Sequence, residues 1–245
     1  MKKFIYLSAL IVIVLLFPSG CNNPFSSNRE KRKEDTTYNP AINPENFVTQ
    51  IDNKYYPLKP GTKYFYQVET EEGTERNEVY VTHETKTILG VPCVVVDDRV
   101  WLNDELIEAT LDWYAQDKEG NVWYFGEASK EYEKGKVVSA EGSWEAGLDG
   151  AKPGIIMKAN PVVGHIYRQE YYFNHAEDMA EVLSLSESAS VPYGPFENCV
   201  KTKDWNPLEK DTIEEKYYAP GVGVVLEVMV QGGSERVELI TITTE

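Results

Sequence analysis

From Gly61 to the end of the chain, apolar and polar residues alternate, and turn residues interrupt the alternation at short intervals. A period of two is the side-chain period of a β-strand, whose successive residues point to opposite faces. Thr62 to Thr70 sets Tyr64, Tyr66 and Val68 against Lys63, Gln67 and Glu69. Val79, Val81 and His83 carry the next strand, followed by Cys93–Leu102, Glu105–Asp117 and Val122–Phe125. Asn103-Asp104 tolerates the positive φ of a two-residue hairpin turn, and Gly232-Gly233 marks another reversal. Later strands are expected at His165–Phe173, Leu183–Val191, Phe196–Trp205, Ile213–Ala219, Val224–Val230 and Glu235–Thr243. The segment 151–164, with Pro153, Gly154, Pro161 and Gly164, reads as a long loop, and only Glu177–Leu183 hints at a short helix. The expected fold is therefore all-β: an antiparallel meander forming a curved half-barrel or sandwich, with little helix.

Everything before residue 47 has a different character. Lys2 and Lys3 precede an apolar run from Phe4 to Phe17, and Pro18-Ser19-Gly20 leads into Cys21. These are the parts of a secretory signal, and the run is shorter than the ~20 residues a membrane-spanning helix needs. A cysteine directly after Ser-Gly resembles the lipobox of bacterial lipoproteins. That resemblance implies cleavage between Gly20 and Cys21 and acylation of the Cys21 thiol. Pro18 departs from the aliphatic residue usual three places before that cysteine. Asn22 to Asn46 is polar and rich in Asn, Ser, Pro, Glu and Lys, a composition that buries too little surface to order itself. The expected organisation is a signal peptide at 1–20, a lipidated cysteine and disordered tether at 21–46, and one β-rich domain at 47–245. A flexible tether of that length reaches roughly 25–30 Å. The chain is thus expected in the cell envelope, anchored on the outer side of the cytoplasmic membrane or in the outer membrane.

With 24 Lys+Arg against 40 Asp+Glu, the chain carries a net charge of −16. Such a surface repels phosphate backbones, which argues against nucleic acid as a partner. Apart from Cys21, only Cys93 and Cys199 carry thiols. Outside the cytoplasm the two could form a disulfide, but both stand beside valines, where a free thiol packs as a small hydrophobe.

Several strings are more distinctive than their periodicity. Asp112-Trp113-Tyr114-Ala115-Gln116-Asp117 and Gly120-Asn121-Val122-Trp123-Tyr124-Phe125-Gly126-Glu127 resemble a family of uncharacterised bacterial envelope lipoproteins. Gly142-Ser143-Trp144-Glu145-Ala146-Gly147, Gly194-Pro195-Phe196 and Lys216-Tyr217-Tyr218-Ala219-Pro220-Gly221-Val222-Gly223 carry the same resemblance, which extends over about Tyr55 to Leu239. It implies an antiparallel half-barrel with a concave apolar face, distantly similar in architecture to LolA/LolB-type lipoprotein carriers. Fold likeness of that kind does not fix function.

Motifs for chemistry are sparse. The chain lacks the Gly-x-Ser-x-Gly elbow of hydrolases, and its histidines are His83, His165 and His175. His175-Ala176-Glu177-Asp178 lacks the His-Glu-x-x-His spacing of a zinc helix, and Asp117–Asn121 reads as a hairpin turn rather than a calcium loop. No cofactor is implied. Acid groups such as Glu69/Glu71/Glu72, Asp97/Asp98 and Glu214/Glu215 are too many to select a glycosidase dyad, whose diagnostic is spatial. The aromatic content is the positive oddity, with 16 Tyr, 8 Phe and 5 Trp. Trp113, Trp123 and Phe125 fall at alternate positions on strands joined by a tight turn. They are expected on one face, as core or as the lining of a groove. The expected function is a non-enzymatic, membrane-anchored lipoprotein. It would bind a lipid or another hydrophobic, envelope-derived ligand on an aromatic-lined concave face. The alternatives are a structural or protein-interaction lipoprotein with a filled core and, third, an envelope glycan hydrolase.

Overall fold

The computed structural model describes residues 32–70 and 73–245. The expected cleavage site at Gly20 and Cys21, and with it the lipid anchor, lies outside the described residues. Among those described, the strands are β1 (Phe47–Val48), β2 (Thr62–Thr70), β3 (Gly73–Ile88), β4 (Val91–Leu102), β5 (Glu105–Asp117), β6 (Val122–Glu133), β7 (Lys136–Ser139) and β8 (Trp144–Glu145). They continue with β9 (Lys152–Met157), β10 (Ile166–Arg168), β11 (Glu170–Tyr171), β12 (Met179–Val191), β13 (Gly194–Trp205), β14 (Ile213–Ala219), β15 (Gly223–Gln231) and β16 (Arg236–Thr244).

The hydrogen-bonded path runs β10-β12-β13-β14-β15-β16-β2-β3-β4-β5-β6-β9-β11, and each of its pairings is antiparallel. The last strand pairs with the first long one, β16 with β2, so the two ends of the domain sequence close the middle of the sheet. The sheet twists until it is nearly a closed barrel. A barrel is the economical solution for long strands, because closure leaves few unpaired edges. The turn chemistry matches the expectation. Asn103 and Asp104 take φ of 51° and 64° between β4 and β5, and Gly232 takes 98° after β15.

Two local expectations fail, each for a tertiary reason. The segment expected as a loop contains β9, despite Pro153 and Gly154. It serves there because the Gln169 backbone crosses so close that a Cβ on Gly154 would lie 2.3 Å from it, a position only glycine fills. The helix hinted at over Glu177–Leu183 is instead the start of β12, with Ala180 and Val182 buried and Glu181 paired to Lys203 of β13. Burial against the sheet overrides a short helical pattern.

The part of the expected tether from residue 32 to 46 is docked on the domain. The Arg32 guanidinium meets Glu177, Arg168 donates to Asp35 at 2.9 Å, and the Tyr38 hydroxyl donates to the Pro153 carbonyl at 2.8 Å. The Tyr38 ring meets Tyr171 edge-on, with centroids 5.5 Å apart. Composition alone could not show this, since the contacts are few and made with residues more than a hundred positions away.

The inner face of the barrel carries a large share of acids. Asp98, Glu108, Asp112, Glu127, Glu214 and Glu227 are buried, while Leu111 between two of the buried positions is 42% exposed.

Candidate functional site

Of the aromatics that sequence singles out, Trp113 and Phe125 are buried and Trp123 is half-buried against the core. Trp113 is buried, with the Lys86 ammonium 3.3 Å above its ring and that ammonium 2.7 Å from Glu145. Trp123 donates its indole N–H to Asp117 at 2.8 Å. The Phe47 ring of β1 meets Trp123 and Phe125 edge-on at 6.3 and 5.6 Å, covering both. None of the three lines the tyrosine-walled cavity of the barrel. The Asp117–Asn121 segment is a turn, with the Asp117 carboxylate accepting from the Asn121 backbone and side-chain amides.

The two thiols, open to a disulfide by sequence, are both buried and free. Cys93 sits among the β4 valines, and burial pushes its thiol up to about 12. The buried-hydrophobe alternative is the one realised.

A cavity lies elsewhere, inside the barrel between β14–β15–β16 and β2–β3, and it is partly open to solvent. Tyr64 and Tyr66 of β2 form one wall, Tyr56 and Leu58 of the preceding loop a second, and Tyr218, Val224 and Val237 a third. The loop is held in place by the Gly221 amide, which donates to the Lys54 carbonyl at 2.7 Å. Two of the four tyrosines spend their hydroxyls on backbone carbonyls, Tyr66 on Val224 at 3.0 Å and Tyr64 on Pro57 at 3.4 Å. What these two present to the cavity is therefore apolar ring. A register shift shapes the third wall. Tyr217 pairs with Leu226 but Tyr218 pairs with Val224, so Val224 and Glu227 both face the cavity although their positions differ by an odd number. Such a bulge re-aims a side chain without breaking the strand.

Part of the lining is charged. Lys216 is buried, and its ammonium lies 3.4 Å from Glu227, 3.8 Å from Glu214 and 3.9 Å from Asp204. Three carboxyls around one ammonium leave an excess of acid. Burial, then the neighbouring Glu227, raise Glu214 well above the ordinary carboxyl value. Glu227 is raised as well, burial being the main cause. A second polar centre occupies the inner face of β5 and β6, where Asp112 stands opposite Glu127. The Tyr124 hydroxyl donates to Asp112 at 2.7 Å, and burial brings that carboxyl up to about 7. The Tyr114 and Tyr124 rings stack at 4.8 Å over this centre. The acids thus stand on neighbouring strands of the barrel wall, where Asp112 accepts from Tyr124 while Oε1 of Glu127, Glu214 and Glu227 has no donor.

Among the described residues no three His, Cys, Asp or Glu side chains are grouped as a metal would need. His175 stacks on Tyr172 at 4.2 Å, and Glu177 holds Arg32 and the Asn174 amide.

Sequence reasoning did not select Tyr56, Lys216 or Glu227. The available signal was the i, i+2, i+4 set Glu214, Lys216 and Tyr218, a strand face that places a lysine between an acid and an aromatic.

The geometry defines a class: an antiparallel β-sheet nearly closed into a barrel, with an aromatic-walled cavity and an acidic interior. The comparisons add little to that class. No family model matches the chain, and no curated protein matches it significantly. A solved structure described as a "putative exported protein with YmcC-like fold" from Bacteroides fragilis is 14% identical, covering 78% of this chain and 100% of that one at a TM-score of 0.47. A second, described as a "putative lipoprotein" from Parabacteroides distasonis, is 13% identical, covering 78% and 99% at a TM-score of 0.43. Neither comparison names a LolA- or LolB-type carrier, so that part of the expected resemblance has no support.

Proposed function

We propose that this chain is an extracytoplasmic lipoprotein, held at a membrane by acyl chains on Cys21, that binds a hydrophobic ligand inside its barrel. The address rests on residues 1–21: a basic start, a short apolar run, and a cysteine after Ser-Gly. One observation carries the ligand reading, the partly open cavity walled by tyrosine rings and valines. Sites for small molecules have this kind of lining, with a few polar groups that orient the ligand. A filled core would leave no such space. The packing of Trp113, Trp123 and Phe125 favours a second reading, a protein-interaction lipoprotein, but those residues lie away from the cavity. We read the acid pairs as wall structure and the protein as a binder rather than a catalyst.

The test is native mass spectrometry on a chain beginning at residue 22, exported and purified without detergent. Each contact described above lies within 32–245, so this chain retains them all. The expected result is a reproducible added mass in the lipid range that is lost in Val79→Trp, a substitution that fills the cavity from β3, while circular dichroism stays unchanged. A bare mass across several preparations, with no uptake of added alkyl probes, would reject the reading in favour of the interaction lipoprotein.

A further inference from the structure

The polar end of the cavity states what kind of head group its ligand needs. Glu227 is 6% exposed and lines the cavity, and its Oε1 has no hydrogen-bond donor. Oε1 of Glu214, beside it on the neighbouring strand, has none either. A buried carboxylate oxygen without a donor is costly, so these two atoms call for one. In the empty cavity a proton held between the two carboxyls meets that need. In the filled cavity a donor on the ligand meets it instead.

The charge around the site selects further. Lys216 is the one cation among the cavity-lining residues, and three carboxylates already surround it within 3.9 Å. An anionic head group would have to compete with Asp204, Glu214 and Glu227 for that ammonium, and it would meet their repulsion. A further carboxyl, Asp98, is buried behind the cavity wall, where it accepts from the Asn77 amide. A head group with no donor would leave the Glu227 and Glu214 oxygens as they are. A cation with N–H donors satisfies the Glu227 oxygen, which lines the cavity, and offsets the acidic excess.

We propose that the cavity takes a cationic amphiphile of the alkylammonium class, its ammonium against Glu227 and its chain along Tyr64, Tyr66, Val224 and Val237. The proposal rests on the hydrophobic-ligand reading above and adds the chemistry of the head. Apolar rings and valines make up most of the lining, and Lys216 and Glu227, both buried, are its charged residues.

The experiment compares three probes of equal chain length on the chain from residue 22, by titration calorimetry below their micellar concentrations: dodecylamine, dodecanol and dodecanoate. Because the protein is strongly acidic, binding that persists in Val79→Trp is counted as surface association and subtracted. A hydrogen bond to a charged group is worth about 1.5–3 kcal/mol, which corresponds to roughly tenfold or more in affinity. Dodecylamine should accordingly bind roughly tenfold tighter than dodecanol, and dodecanoate weakest. Glu227→Gln should bring amine and alcohol to within about threefold of each other while leaving alcohol binding in place. If Glu227→Gln does not fold, the order of the three probes on the native chain, corrected with Val79→Trp, still decides. Equal affinities for all three would overturn the head-group proposal and leave the hydrophobic cavity standing. Tighter binding of dodecanoate would overturn it outright. No cavity-dependent binding of any probe would reject the hydrophobic-ligand reading itself.

Discussion

Glu108→Gln should make the protein more stable at alkaline pH and leave it little changed in acid. Glu108 points into the barrel from β5, 6% exposed, with the Thr110 hydroxyl 3.1 Å from its Oε1. Burial is the largest influence on it and raises its carboxyl from 4.5 to about 7, opposed by the Thr110 hydrogen bond. Glu131, Asp112 and Glu75 face it and push in the same direction as burial. Since the folded value lies above the unfolded one, folding favours the protonated form. The stability this contributes is fully present below about 4.5 and is lost as pH rises through about 7. The difference between the two values amounts to about 3 kcal/mol for a fully titrated group. Glutamine keeps the shape and the Thr110 contact, and it offers N–H donors to the surrounding carboxyls. Urea denaturation followed by tryptophan fluorescence at pH 5, 7 and 9 measures the effect. The variant should match the native chain within about 1 kcal/mol at pH 5 and exceed it by up to about 3 kcal/mol at pH 9. Asp112 and Glu127 titrate in both proteins, so only the difference between the two curves is diagnostic. A difference that does not change with pH would refute the argument, because it would mean that Glu108 ionises as readily in the folded barrel as in water.

Two other outcomes follow from the interior. Lys216→Met should cost about 3–5 kcal/mol at pH 7, because it leaves Asp204, Glu214 and Glu227 buried without their cation, and the urea midpoint should recover as pH falls and the carboxyls protonate. Cys93 and Cys199 should resist a thiol reagent such as dithionitrobenzoate in the folded protein at pH 8 and both react in denaturant. Their burial and the raised thiol of Cys93 leave little reachable thiolate, and rapid labelling in the folded state would contradict the buried placement.

Much of the architecture was legible before any coordinate. The alternation of Tyr64, Tyr66 and Val68 and the turns at Asn103-Asp104 and Gly232-Gly233 are local properties, and local geometry realises them as read. β9 was not legible, because Pro153 and Gly154 look like a loop until the Gln169 backbone is laid beside them. The tyrosine-walled cavity was not legible either. The conspicuous tryptophans drew attention, yet Phe47 and Lys86 cover Phe125, Trp123 and Trp113, and the cavity is walled by tyrosines from distant parts of the chain.

What the sequence by itself determined is which residues share a strand face, since the two-residue period is a property of the backbone alone. It also set the division between a leader-like start and a β-rich remainder. It left undecided which face turns inward, because alternation is symmetric under exchange of the two faces and a one-residue shift swaps them. The tertiary structure made that choice, and against the usual preference: on β5 it put Asp112 and Glu108 inside and Leu111 outside. Only the closed sheet could show that the carboxyls of β13, β14 and β15 gather around Lys216, because pairing across strands, not proximity along the chain, sets those distances.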